Sequence, residues 1–306
     1  MSMRAMAIRV ARIMGMLLLI SFLLSTVSWK DIWTIFKTAS LPVIAIGCSL
    51  YYINLLLSCY KWRYTLALEE IQIPFWYLVR WYMIGAFVSN FLPTEIGGDI
   101  GRGYYAGRYT GRVTAIASTI LMERLSGLFA MFALALTGLI FMTSFDHLWI
   151  IGLLCVGVGL LVVCIRPIFN KIVYYQKYFP ASIQGLLNIF VQTGHRYGSQ
   201  KTKLLIILII SLVFQILAGV GLWLNLWAVS IQLPLPQVVL KNAMVSIASL
   251  LPITINGWGI REGLLGYFLT PLGAPTAGII AAALLGRMIV LVLSIPGVLF
   301  LHREKT

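Results

Sequence analysis

Apolar residues in this chain fall into long runs separated by short polar breaks. The runs cover Ile13–Val27, Leu41–Leu57, Leu125–Met142, Leu148–Ile165, Leu204–Val229 and Ala277–Leu301. Several reach the ~20 residues a helix needs to cross a bilayer. Isolated strands cannot do this, because every backbone polar group in lipid must be satisfied within the protein. The pattern predicts an all-α, polytopic membrane protein with about six to eight transmembrane helices.

The breaks set the order of elements. A first span at 13–28 is followed by a short loop holding Lys30, Asp31 and Lys37, and a second span at 41–60. Lys61-Trp62-Arg63 and the Glu69-Glu70 turn come next, amid Tyr60, Trp62, Tyr64, Trp76, Tyr77, Trp81 and Tyr82. That aromatic group suits a belt at headgroup level. Residues 75–92 are apolar except for Arg80 and end at Asn90-Phe91-Leu92-Pro93; a Gly-rich polar stretch runs from 94 to 111. The run from 113 to 142 is too long for one simple span and carries Glu123-Arg124. Asp146-His147 mark a loop before a span at 148–165. The segment 166–203 has six basic residues and no acid, with a surface helix expected at 180–193. A long span at 204–229 precedes a loop at Pro234 and Pro236. Residues 240–272 are broken by Pro252, Asn256, Gly257, Gly259 and Pro271, and the last span covers 276–301.

Lysines and arginines orient these spans. The N-terminus and 166–203 both belong on the cytoplasmic side, which requires an even number of crossings between them. That parity holds if 75–110 enters and leaves from the cytoplasmic side as a re-entrant hairpin. If 240–272 is a hairpin from the outer side, the C-terminal tail with Arg303 and Lys305 is cytoplasmic too. The reading is six full crossings plus two re-entrant segments, in one integral membrane domain spanning 1–306, in the bacterial inner membrane.

Composition supports this. Hydrophobic residues make up 60% of the 306 and charged residues 10%, against about 25% charged in soluble domains. The net charge of +14 fits positive-inside topology and anionic headgroups; no basic–aromatic groove points to nucleic acid. Cys48 and Cys59 are about 16 Å apart on one helix and Cys155 and Cys164 about 13 Å, too far to bridge within their own helices. His147, His195 and His302 form no metal-ligand cluster. Arg4, Arg9 and Arg12 before an apolar stretch resemble a signal peptide, but no convincing cleavage site lies near Ser25–Ser28, so an uncleaved first span is the preferred reading.

The main signal is an internal repeat. Residues Leu92-Pro93-Thr94-Glu95-Ile96-Gly97-Gly98-Asp99-Ile100-Gly101-Arg102 align without gaps to Leu251-Pro252-Ile253-Thr254-Ile255-Asn256-Gly257-Trp258-Gly259-Ile260-Arg261. They share L-P-x-x-I-x-G-x-x-x-R. Each has a downstream arginine in an apolar run, Arg124 and Arg287. The first half-repeat is set at 41–142 and the second at 204–301. Repeats of half a chain mark transporters, and the parity argument makes this one inverted. Broken helices are then expected to meet near the midplane and form the site.

The chemistry suits an anion. Proline breaks the helix and removes a donor, glycine lets backbone approach a ligand, and freed amides at a half-helix start attract negative charge. An arginine nine residues after each proline can grip a phosphate bidentately. The bland alternative is a packing kink with structural ion pairs; two matched copies weigh against it, since charges at membrane depth are functional hypotheses by default. Glu95, Asp99, Glu123 and Glu262 neutralise arginines or, alternatively, one carries a coupling proton. Glu123 and Arg124 are adjacent and point different ways on a helix, so separate partners are expected; the same holds for Arg261 and Glu262. The candidate substrate-binding set is Asn90, Pro93, Glu95, Gly97, Gly98, Asp99, Arg102, Glu123, Arg124, Pro252, Asn256, Gly257, Trp258, Gly259, Arg261, Glu262 and Arg287.

At these residues the chain resembles the flippase-like membrane region of lysylphosphatidylglycerol synthases, a family with N-x-L-P…G-G-D-x-x-R, E-R-x-x-G and L-P…G-x-G-x-R-E motifs. Here these are Asn90, Leu92, Pro93, Gly97, Gly98, Asp99 and Arg102; Glu123, Arg124 and Gly127; and Leu251, Pro252, Gly257, Gly259, Arg261 and Glu262. The resemblance covers about residues 10–301 and implies movement of an amphiphile between leaflets. The chain runs five residues past its last span, so a stand-alone member without the synthase domain is expected. Trp258 departs from the usual Gly-Gly and is expected to tune substrate choice.

The leading expectation is therefore a lipid flippase, not an enzyme, moving an anionic phospholipid or a polyprenyl-linked intermediate without a cofactor. A separate synthase or glycosyltransferase is a candidate partner, and the Gly/Ala surface at 278–283 suits helix packing within or between chains. The alternatives are a non-transporting scaffold or regulator of envelope synthesis and, with less support, a lipid-modifying enzyme. The last lacks a zinc H-E-x-x-H, a nucleophile elbow and an intramembrane histidine.

Overall fold

A computed structural model describes residues 29–91, 96–142, 200–249 and 258–303. The spans expected at 13–28 and 148–165, the helix expected at 180–193, and Pro93, Glu95, Pro252, Asn256 and Gly257 lie outside the described residues. The elements are α1 (Trp29–Lys37), α2 (Leu41–Leu68), α3 (Phe75–Phe91), α4 (Ile96–Thr110), α5 (Val113–Met142), α6 (Lys201–Ala228), α7 (Leu235–Ala248), α8 (Ile260–Leu269), a 3₁₀ turn Thr270–Leu272, α9 (Thr276–Ser294) and α10 (Pro296–Arg303). The described residues contain no strand. Among the described residues, four stretches are long and apolar enough to cross a membrane: Leu41–Leu68, Val113–Ile140, Lys201–Ala228 and Thr276–Leu301.

The two halves are built alike. Each opens with a helix of 28 residues, α2 or α6. Each such helix ends in the same turn. Ile71 N–H donates to the Leu66 carbonyl at 3.0 Å, and Ile231 N–H to the Leu226 carbonyl at 2.9 Å. Glu70 and Ser230 both adopt positive φ, 56° and 64°. The segments Ile71-Gln72-Ile73-Pro74 and Ile231-Gln232-Leu233-Pro234 follow, each burying its first and third residues and exposing its glutamine. Proline then leads into the next helix, where a missing N–H costs nothing.

The opening helices run antiparallel. Ser40 N–H, at the start of α2, donates to Ala228 O at the end of α6 at 2.8 Å. Gly47 faces Asn225, and Leu50 faces Gly221. Lys61 Nζ donates to Ser211 Oγ at 3.3 Å. Numbers rise along α2 as they fall along α6, so the two copies of the repeat are inverted.

Between the long helices lie two hairpins. In the α3–α4 hairpin, a Cβ on Gly98 would lie 2.5 Å from the Gly85 carbonyl oxygen, so only paired glycines allow this crossing. Farther out, the Tyr109 ring on α4 meets Tyr77 at 5.3 Å and Trp81 at 5.8 Å on α3. The chain therefore enters and leaves at the same end of the molecule. The α7–α8 hairpin enters from the opposite end, beside the start of α6's following turn, with Lys241 Nζ donating to the Phe268 carbonyl at 2.6 Å. Each entering helix packs across the repeat boundary: α3 against α10 and α9, α7 against α5. Gly297 admits the Met83 backbone, and Gly138 faces Leu240 and Met244.

Several sequence expectations change. Residues 29–37 are helical, not a loop. The second span continues to Leu68, because the Lys61 charge finds polar partners inside the bundle and the helix need not end there. Residues 113–142 form one helix, with Glu123 and Arg124 accommodated by ion pairs. Pro236 lies in the first turn of α7. Of the expected aromatic belt, Tyr60 and Trp76 are exposed, but Trp62 and Trp81 are core residues.

Candidate functional site

The first cluster is assembled by α4. Gly97 and Gly98 fill its first turn, which puts Asp99 near a helix start, where a carboxylate is favoured, and Arg102 one turn later on the same face. Arg102 Nε and Nη2 donate to Asp99 Oδ1 at 2.9 and 2.8 Å, and Nη1 donates to Glu123 Oε2 at 2.6 Å. Its guanidinium lies 4.4 Å from the Tyr82 ring and 4.7 Å from the Trp62 ring. Tyr82 Oη donates to the Glu123 carboxylate at 3.1 and 3.2 Å, and Trp62 Nε1 donates to Thr119 Oγ1 at 3.0 Å. Arg102 is only 4% exposed. Its donors go to two carboxylates and its faces to two rings, so in this geometry it grips protein carboxylates where the motif had suggested a ligand phosphate.

Around this core, Arg124 Nε donates to Asp99 Oδ2 at 2.5 Å. Glu123 and Arg124, adjacent in sequence, thus take separate partners, as the helix geometry required. Lys61 closes the back: Nζ donates to Ser211 Oγ and, at 3.4 Å, to the Glu123 carbonyl. Ser211 Oγ donates to Ser126 Oγ at 3.0 Å. These bonds tie α2, α5 and α6 together. Asn90, at the end of α3, donates from Nδ2 to Ser294 Oγ on α9 at 3.0 Å, bridging the halves away from Arg102.

The second cluster is assembled by α8. Gly259, at φ 83°, caps the helix in a conformation that L side chains rarely adopt. Its N–H donates to Glu262 Oε2 at 2.7 Å, while Glu262 Oε1 accepts from Arg287 Nε at 2.5 Å. Arg287 lies 4.4 Å from the Trp258 ring. Arg261 Nη2 donates to Asn242 Oδ1 on α7 at 2.9 Å. Arg261 and Glu262 also point to separate partners.

The clusters match in one pair. Arg124 reaches Asp99, and Arg287 reaches Glu262, each 25 residues back along the chain. The shared element is thus an acid in the first turn of the half-helix, held by an arginine in the following span. Motif alignment alone paired Asp99 with Trp258. Sequence reading also missed Lys61, Trp62, Tyr82 and Asn242. Lys61 carried a signal, as a lysine inside what is now one continuous apolar helix; Asn242 carried none.

The clusters do not meet at one midplane site, contrary to the sequence expectation. Trp62, beside Arg102, and Gly47, beside the Asn225 that packs on Gly286, stand about 20 Å apart along α2. Each cluster sits inside its own end of the molecule. A cavity of about 390 Å³ lies elsewhere, between Glu69 and the start of α5, lined by Gly111, Arg112, Thr114 and Ser118.

Comparison with curated proteins returns no match. A family model, the lysylphosphatidylglycerol synthase TM region, matches residues 6–297 and so takes in both clusters and both hairpins. The chain is a membrane protein of lipid-related function and belongs to the lysylphosphatidylglycerol synthase TM region family.

Proposed function

We propose that this protein is a lipid transporter, not an enzyme, which moves a phosphate-bearing lipid between leaflets of the inner membrane. The substrate is an anionic phospholipid or a polyprenyl-linked intermediate. One observation carries this reading: two inverted hairpins enter from opposite ends, each delivering an acid–arginine cluster into an apolar bundle. Inverted halves give two exchangeable access states around related sites. Arginines at depth provide the charge that a headgroup needs on its way through lipid. A helix bundle without that task has little reason to keep them, since each costs about 3 kcal/mol at the centre of a span by insertion scales.

Charge distribution supports the orientation. Arg108, Arg112, Lys201, Lys203 and Arg303 gather at the end from which the α3–α4 hairpin enters, against Lys30 and Lys37 of α1 toward the other. By the positive-inside rule, the first end is cytoplasmic.

The test is a leaflet assay in proteoliposomes with head-labelled phosphatidylglycerol, phosphatidylcholine and polyprenyl phosphate. The wild type is expected to move at least one phosphate-bearing lipid faster than protein-free vesicles. The repeat-matched double variant Arg124→Gln/Arg287→Gln should return to the protein-free rate. Wild-type rates equal to empty vesicles for every lipid would overturn the proposal.

A further inference from the structure

Resting on the transporter reading above, the polar groups between the two clusters bear on what drives it. The acids of both clusters are held by guanidinium groups: Asp99 by Arg102 and Arg124, Glu123 by Arg102, and Glu262 by Arg287. Such charge-assisted pairs are among the strongest polar contacts in a protein, and they leave these acids little freedom to trade protons. Lys61 is held differently. It is 8% exposed, and its Nζ donates only to neutral oxygens, the Ser211 hydroxyl at 3.3 Å and the Glu123 carbonyl at 3.4 Å. Among the described residues it forms no ion pair, because the Glu123 carboxylate is turned to Arg102 and Tyr82. Around it stand Tyr82 on α3, Asp99 and Arg102 on α4, and Glu123 and Arg124 on α5. From α6 come Ser211 and Phe214, which carry no charge, and the charged residue of α9, Arg287, belongs to the other cluster. A lysine at membrane depth is a functional group by default, and lysine, unlike arginine, exists with or without its proton.

A polar lane leads to Lys61 from the far end of the molecule. Asn54 stands between Leu50 and Lys61, on the face of α2 that meets α6. Gln215 lies one turn past Ser211 on α6. Asn225 follows, between Gly47 and Gly286. From the Lys61–Ser211 contact, Gln215 stands about 6 Å, Asn54 about 10 Å and Asn225 about 21 Å along the antiparallel pair. Asn54 Oδ1 is buried without a partner. Gln215, itself 8% exposed, and Asn225 make no side-chain hydrogen bond among the described residues. A buried amide without a partner is costly, and three along one seam are satisfied together by water. Under the orientation above, Asn225 stands at the outer end of this lane and Lys61 at its inner end.

We infer that lipid movement is coupled to protons: Lys61 takes up and releases one proton in each cycle, through a hydrated lane that Asn54, Gln215 and Asn225 line along α2 and α6. The neutral amine plus one proton gives the ammonium, and no other bond is made or broken. A phosphate arriving at the first cluster adds negative charge near Lys61 and holds the proton on. Its departure lets the proton go. A singly charged headgroup and its proton then cross together, and the pair carries no net charge through the apolar bundle.

The test repeats the leaflet assay, with the same labelled lipids, in vesicles whose lumen is one pH unit more alkaline than the outside. Protein-free vesicles under the same gradient give the background. Label facing the lumen is read as the fraction shielded from a membrane-impermeant quencher, and coupling acts whichever way the protein inserts. The wild type is expected to enrich the anionic lipid it moves in the inner leaflet. One proton per singly charged lipid allows up to about tenfold at one pH unit, and nigericin, which collapses the gradient, should remove the enrichment. Lys61→Arg keeps a cation that does not give up its proton, so it should lose the enrichment. Gln215→Leu leaves Lys61 in place and interrupts the lane. It should melt no lower than wild type and build the enrichment several-fold more slowly. Wild-type enrichment no greater than in protein-free vesicles, with lipid still moving, overturns the coupling alone. Enrichment by Lys61→Arg equal to wild type overturns the role of Lys61, and an unchanged rate in Gln215→Leu overturns the lane. A wild type that moves no labelled lipid refutes the transporter reading, and the coupling with it.

Discussion

At the scale of single residues, Arg102 is closely constrained. Three of its donor contacts end on carboxylate oxygens, and both faces are covered by rings. Removing one member of such a buried pair leaves the others charged and unmatched, which costs about 3–5 kcal/mol. Arg102→Gln is therefore expected to lower the melting temperature of the detergent-solubilised protein severely, and adding Glu123→Gln should restore part of the loss. Arg124, whose side chain is 40% exposed, is expected to cost about 1 kcal/mol or less as Arg124→Gln. Melts of the three variants decide this; an Arg102→Gln protein as stable as Arg124→Gln would show that the buried Arg102 contacts do not stabilise the fold. The sequence indicated part of this site. Adjacent Glu123 and Arg124 had to diverge, because neighbouring positions on a helix lie about 100° apart. What it could not indicate is which ring or amide fills the remaining directions. Tyr82 and Asn242 come from helices whose register against α4 and α8 is set by tertiary packing, and nothing local marks either one.

At the scale of elements, the hairpins depend on close backbone approach. Gly98 sits with its Cα against the Gly85 carbonyl and the Ser89 hydroxyl. Any side chain there must push α4 away from α3 and carry Asp99 and Arg102 with it. Gly98→Ala is expected to destabilise the protein by about 1–3 kcal/mol, the usual range for overpacking. Gly101 lies on the same helix with nothing within 4 Å of its would-be Cβ, so Gly101→Ala should be neutral or stabilising by up to about 1 kcal/mol through helix propensity. Thermal melts of the two variants separate packing from propensity; equal effects would refute the close-approach argument. The existence of the α3–α4 hairpin was legible from charge parity alone, because only a re-entrant segment leaves both basic regions on one side. Element ends were less legible. The second span was expected to stop at Lys61, because a lysine next to aromatics normally marks an interface. Here Ser211 and a backbone carbonyl accept its protons, and the helix runs on for another two turns.

At the scale of the whole molecule, inversion is the property that connects the fold to the proposed transport. It follows from the antiparallel α2–α6 pair, and it has a sharp signature in the matched turns. Gln72 and Gln232 occupy the same exposed position directly after the matched six-residue turns, yet α2 ends where α6 begins. The shared Ile-Gln-Ile/Leu-Pro was present in the sequence at an offset one residue longer than that of the motif prolines. It extends the repeat well upstream of Pro93 and Pro252, through turns whose function is only to reverse the chain. Two identical turns facing the same side would allow one access state; facing opposite sides, they let each half take the other's role. In a variant with Cys48, Cys59, Cys155 and Cys164 replaced by alanine, Gln232→Cys is expected to react with a membrane-impermeant maleimide in intact cells. Gln72→Cys should react only after the membrane is permeabilised. Labelling of both from one side would break the inverted arrangement and, with it, the physical basis for exchange between two sites. Labelling of Gln72→Cys alone from outside would keep the inversion but reverse the orientation, placing the Arg261–Arg287 cluster on the cytoplasmic face.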